Sequence, residues 1–158
     1  MADMSSMKPA FTETMQIGIV VPDLEAAIRT YEELYGIGPW NRFTVGPEMI
    51  EGEVLVRGKP VDWRGKAAAT MVAGVMWELI EPHDKGDLFG RFLASRGGVG
   101  GVHHVAVKTP DFNGLRRQQA ERGQEPLMRG RFSGIDIDYL DTERDLGVIL
   151  EVFSGLPG

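Results

Sequence analysis

The sequence predicts an α+β fold made of one unit used twice, each copy a strand, a helix and then two or three strands. Three observations predict it. Gln16-Ile17-Gly18-Ile19 and His104-Val105-Ala106-Val107 are both short, mostly apolar stretches, 88 positions apart. The same offset sets Pro22-Asp23-Leu24 against Pro110-Asp111-Phe112, a turn followed by a helix start. An offset shared by a strand, a turn and a helix start marks an internal duplication. Finally, lone polar residues interrupt apolar runs at matching places: Gln16 and Glu78 in the first copy, His104 and Glu151 in the second. The predicted division is a loose leader over 1–9, a first module over 10–96, a glycine-rich joint over 97–101 and a second module over 102–158, together forming one domain.

The elements follow in order. Met15 to Val21 is apolar apart from Gln16 and is bounded by Pro22-Asp23, so it reads as a buried strand. Asp23 suits a helix N-cap, and Leu24, Ala27, Ile28, Tyr31, Leu34 and Tyr35 recur at helical spacing over 24–35. Gly36 and Gly38-Pro39 end that helix. A short strand is expected over Trp40 to Val45 and another over 51–57, where glycine and proline punctuate the chain. Ala67 to Pro82 holds a strand pair, and Leu88, Phe89, Phe92 and Leu93 mark a short helix near 86–95. The run Gly97-Gly98-Val99-Gly100-Gly101 is not a phosphate loop: no Gly-Lys-Ser/Thr follows, and a strand rather than a helix comes next. In the second copy, His103 to Lys108 reads as a strand and Asp111 caps a helix through Arg122. Phe132 to Leu140 reads as one strand, Asp141 to Asp145 as a polar hairpin loop and Leu146 to Phe153 as a last strand.

Composition narrows the class. A chain of 158 residues with 42% hydrophobic residues can bury a sizeable core. It has no cysteine, which excludes disulfides and thiolate chemistry and fits a reducing compartment, so a cytoplasmic location is expected. The formal net charge of -6 argues against nucleic acid and anionic membranes as partners. No apolar run is long enough to span a bilayer, and Met1 to Ala10 lack the apolar core of a signal peptide.

The chemistry sits on the lone polar residues. Period two places Glu78 on a face with Met76 and Ile80, Glu151 with Ile149 and Phe153, His104 with Val102 and Ala106, and Gln16 with Gly18 and Val20. None of these is a solvent face. A carboxylate on an apolar face is costly unless it is paired or bound to a cation. Two carboxylates, an imidazole and an amide from four strands make an oxygen- and nitrogen-rich site for one divalent metal ion: Zn, Co, Mn, Ni or Mg. Alternation points His103 away from His104 and gives it a structural role. Arg116, Arg117, Arg122, Arg129 and Arg131 either hold an anionic group of a substrate or form a solvated face, and Trp40, Trp63 and Phe132 are candidate cup-lining residues.

Gln16-Ile-Gly-Ile-Val-Val-Pro-Asp-Leu-Glu-Ala-Ala, Trp77-Glu-Leu-Ile-Glu-Pro, Gly101-Val-His-His-Val-Ala-Val and Gly147-Val-Ile-Leu-Glu-Val together resemble the vicinal oxygen chelate superfamily, also called the glyoxalase/bleomycin-resistance/dioxygenase superfamily. The resemblance implies paired βαβββ modules forming a cup-shaped mixed sheet around a divalent metal, commonly in a homodimer. By position, Gln16, Glu78, His104 and Glu151 fall on the family's metal-ligand places. This set resembles that of eukaryotic-type glyoxalase I, while the wording around His103-His104 resembles methylmalonyl-CoA epimerases, which often have Gln where Glu78 stands.

The expected function is a divalent-metal-dependent epimerase or isomerase moving a proton beside a metal-polarised carbonyl or thioester, with Glu78 and Glu151 as the catalytic bases and Gln16 as a ligand only. The substrate would be a small carbonyl compound or thioester. A glyoxalase-I-type lactoylglutathione lyase is the alternative, and a metal-free small-molecule binding or resistance protein a second one. Extradiol ring cleavage needs a second histidine where Gln16 stands.

Overall fold

The computed structural model describes residues 7–155. The leader expected over 1–9 lies outside the described residues except for residues 7–9, which are exposed coil. Ten strands form one mixed sheet, with helices on its faces. The strands are β1 (Glu13–Val20), β2 (Asn41–Val45), β3 (Val54–Val56), β4 (Lys59–Val61), β5 (Gly65–Val72), β6 (Val75–Pro82), β7 (Gly101–Lys108), β8 (Met128–Phe132), β9 (Ile135–Leu140) and β10 (Ile149–Phe153). The helices are α1 (Leu24–Tyr35), α2 (Leu88–Ser95), α3 (Phe112–Glu121) and the single turn α4 (Glu143–Leu146).

The strand order is β2-β5-β6-β1-β7-β10-β9-β8-β3-β4. Its two halves mirror each other. β1 runs parallel to β6 as β7 does to β10, and β1 and β7 meet antiparallel at the centre. This is the βαβββ unit used twice. The hairpin β3–β4 departs from the symmetry: it extends the far edge of the other half by pairing with β8.

The helices follow from the repeat. Asp23 caps α1 by accepting a hydrogen bond from the Ala26 amide, and Asp111 caps α3 by accepting from the Gly114 amide. Each helix covers the outer face of its own half. Leu24 and Ile28 of α1 pack with Ala68 and Leu79, and Phe112 and Leu115 of α3 pack with Val107, Leu150 and Val152. The inner face carries the other parity: Val20, Ala67, Ile80, Met128, Phe132, Tyr139 and Ile149, joined by Trp63 and by Phe89 of α2. The sheet is therefore a cup, apolar outside under its helices and apolar within.

Four expectations need correction. The stretch Phe132 to Leu140 is not one strand. Ser133 (φ 48°) and Gly134 (φ 86°) turn the chain there, so β8 and β9 form a hairpin. The loop 141–145 ends in the helical turn α4, which shortens the last strand to Ile149–Phe153. Trp40 does not line the cup: it is buried beneath α1, its ring 5.1 Å from that of Tyr31. The fourth concerns the histidines and belongs to the site.

Candidate functional site

The register of the sheet assembles the site. Gln16 lies opposite Ala106, and Ala106 lies opposite Glu151. Gly18 lies opposite both Glu78 and His104. Directly opposed residues share a face, so Gln16, Glu78, His104 and Glu151 all project to the inside of the cup from the four central strands. They meet there. The Gln16 amide donates to Glu78 Oε2 at 2.6 Å. His104 Nε2 stands 3.1 Å from Glu151 Oε2 and 3.8 Å from Glu78 Oε2.

Two residues that sequence reasoning passed over shape this cluster. Gly18 faces the imidazole of His104 so closely that a Cβ there would occupy the ring's place. Tyr139, opposite Glu151 on β9, stacks on His104 with ring centroids 4.7 Å apart. Gly18 gave no signal beyond its place on the strand, whereas Tyr139 alternates in phase with Ile137 toward the cup.

The histidines correct the alternation argument. The β1–β7 register shifts between Gly18 and Ile19, which pair with His104 and Val102 and leave His103 as an extra residue. Such a bulge breaks the period of two. His103 therefore joins His104 inside, with their Nδ1 atoms 3.0 Å apart, instead of pointing away. Val102, expected beside His104, moves to the other face and is 49% exposed. His103 also sits edge-on to Phe89 and Phe92 of α2.

Burial sets the electrostatics. Desolvation pushes the Glu78 carboxyl up to about 7; the negative charge of Glu151 adds to the rise and His104 opposes it. Burial works against charging His104, but the carboxylates of Glu151 and Glu78 outweigh it and raise its pKa. Burial, with His104 next to it, lowers His103 to about 3, so that ring is neutral at ordinary pH. Burial and then the charges of Glu151 and Glu78 raise the Tyr139 phenol well above its usual value, which keeps its proton in place.

His104 is fully buried and Glu151 is 5% exposed, yet His104 Nε2 and Glu151 Oε2 have no partner with hydrogen-bond geometry among the described residues. Buried polar atoms left so are rare and costly. Two donor atoms on one divalent ion stand about 3 Å apart, close to the 3.1 Å observed. The donor set therefore suits such an ion. Among the described residues, however, no three His, Cys, Asp or Glu side chains form a closed cage. The Gln16 nitrogen is engaged with Glu78, which leaves the amide oxygen as the atom that could serve a cation.

A cavity of about 180 Å³ opens above the cluster, with Gln16, Glu78, Tyr139 and Glu151 among its lining residues. Trp63 and Phe132 line it as expected. Four of the five grouped arginines are engaged elsewhere. Arg116 and Arg129 both grip the buried carboxylate of Asp138, on the outer face under α3. Arg122 pairs with Asp145, and Arg131 with Glu51 and Asp136. None of the five lines the cavity. No helix among the described residues is long and apolar enough to cross a membrane.

Comparison with known proteins agrees with this architecture. A methylmalonyl-CoA epimerase of Streptomyces coelicolor, solved as a variant with 2-nitronate-propionyl-CoA, is 26% identical with a TM-score of 0.62, over 90% of this chain and 96% of that one. Methylmalonyl-CoA epimerase from Mycobacterium tuberculosis shares the fold with a TM-score of 0.65 at 19% identity, over 98% of this chain and 95% of that one. A hypothetical protein of Bacillus halodurans shares it at 17% identity with a TM-score of 0.60, over 92% and 96% of the two chains. No curated relative matches. The sequence model of the Glyoxalase/Bleomycin resistance protein/Dioxygenase superfamily matches residues 15–139, and with the mirrored sheet and central site described above, the chain belongs to that superfamily.

Proposed function

We propose that this chain is a divalent-metal-dependent isomerase that removes and returns a proton at the carbon beside a carbonyl or thioester. The observation that carries the reading is the pair of carboxylates, part-buried Glu78 and buried Glu151, brought from the two halves of the sheet to either side of His104. Gln16, Glu78, His104 and Glu151 would hold the ion, and when bound it supplies an electrophile that makes the neighbouring C–H more acidic. The rest falls to the chain. Glu78 stands at the carbon from the first half and can take or give a proton there. Glu151 does the converse from the other half. A proton taken by one carboxylate and returned by the other to the opposite face inverts the carbon with no net redox change. Tyr139 keeps its proton and walls His104. The likeness to the Streptomyces coelicolor epimerase supports the reading.

The test is exchange of substrate C–H with solvent deuterium in metal-loaded protein, first with acyl-CoA thioesters and then with the methylglyoxal–glutathione adduct. Exchange with a thioester is the expected result, and Glu151→Gln should slow it by about 100-fold or more. Turnover of the adduct alone would replace the isomerase with a lyase that uses the same cluster. Binding of ligands without either reaction would leave a small-molecule binding protein.

A further inference from the structure

We infer that the cavity takes a substrate whose reacting carbon carries one flat apolar ring, such as an aryl-substituted acyl thioester. The inference deepens the isomerase reading and rests on it for the place of that carbon. Phe43, Met49, Trp63, Met128, Phe132 and Phe153 are among the apolar side chains of its walls. An apolar cavity of about 150 Å³ takes one benzene ring, so about 180 Å³ takes a ring with a small substituent. A carboxylate in the ring's place would be disfavoured twice. It would lose its water against apolar walls, and it would approach two resident carboxylates, Glu78 and Glu151. The two cationic side chains of the lining stand at the rim and are already paired: Arg64 with Asp62 at 2.8 Å and Lys66 with Glu81 at 3.5 Å.

2-Phenylpropionyl-CoA and methylmalonyl-CoA test this, because they differ only in a phenyl or a carboxylate on the reacting carbon. Calorimetry, with quenching of Trp63 fluorescence as a second readout, gives affinity apart from turnover. The phenyl compound should bind at least about 10-fold more tightly. Phe43→Ala, at the half-buried wall, should erase most of that margin. Equal or tighter binding of methylmalonyl-CoA overturns the ring pocket, and deuterium exchange in that compound would then keep the isomerase. Tight binding of the phenyl compound without exchange upholds the ring pocket and sinks the isomerase.

A separate observation assigns His103 as a positioning residue. Its Nδ1 is 3.0 Å from Nδ1 of His104, with both rings buried. Two bare ring nitrogens would repel, so one carries a hydrogen. For His104 to offer a lone pair at Nε2, its proton must sit on Nδ1 and be donated to His103 Nδ1. His103 then carries its own proton on Nε2. Nitrogen-15 NMR of the zinc-loaded protein should show an unprotonated Nδ1 on His103; a proton there overturns the assignment. In zinc titrations, His103→Phe should weaken binding about 10- to 100-fold. His103→Gln, which keeps an acceptor, should restore most of it, and unchanged affinity in the Phe variant would also overturn the role. The NMR readout uses the native chain, so it holds even if a variant fails to fold.

Discussion

A single missing methyl group makes room for the central histidine. Gly18 sits where the His104 ring passes, and a Cβ at that position would collide with it. Both lie on the central strand pair, where packing cannot relax freely. Gly18→Ala should therefore destabilise the protein by about 1–3 kcal/mol and displace His104, read by urea denaturation and by loss of zinc binding. Full retention of both would show that the ring has another place to go. On the opposite face, Asp138 is fully buried and accepts two hydrogen bonds from each of Arg116 and Arg129. Asp138→Ala leaves two part-exposed guanidinium groups facing each other with no carboxylate between them. A loss of about 3–5 kcal/mol is expected, with little change in ligand affinity in the cup. A large change in that affinity would mean that the arginines reach the substrate after all.

At the scale of elements, the two copies use the same helix start. Asp23 and Asp111 each accept from an amide three residues on. Replacing either with Ala should cost about 1 kcal/mol. The pair should be additive, since α1 and α3 cover different halves of the sheet. A double-mutant cycle checks this, and strong coupling would reveal contact between the helices that the fold does not provide. The bulge at His103 is one of two register shifts in the central β1–β7 pairing, the other lying between Thr14 and Gln16. It brings a second ring into the cup without lengthening the strand.

At the scale of the whole molecule, the sheet has two edges, β2 and β4. β4 carries Lys59 and Pro60, both exposed, which discourages edge pairing. β2 carries neither lysine nor proline. We propose that the chain forms a homodimer, as other members of the superfamily commonly do. Light scattering at micromolar concentration should give twice the chain mass, and a monomer mass would refute it.

The sequence by itself determined the duplicated unit, the helix α1 with both ends, and the inward phase of Gln16, Glu78, His104 and Glu151. These follow from local rules: capping, helical spacing, and alternation along a strand between turns. The tertiary structure decided what depends on a neighbouring strand. Register decided that Gly18 faces His104 and that Tyr139 faces Glu151. A bulge, which exists only relative to a partner strand, turned His103 inward. The split of Phe132 to Leu140 lay hidden because Ser133-Gly134 is a mild turn signal next to the apolar alternation of β9. Likewise, Trp40 and the arginines carry no local mark of the face they serve. Their places were set by which partner lay within reach: part-buried Tyr31 for the indole, and buried Asp138 for two of the guanidinium groups. Alternation can tell one face of a strand from the other, but only the closed sheet makes one of those faces the inside of a cup.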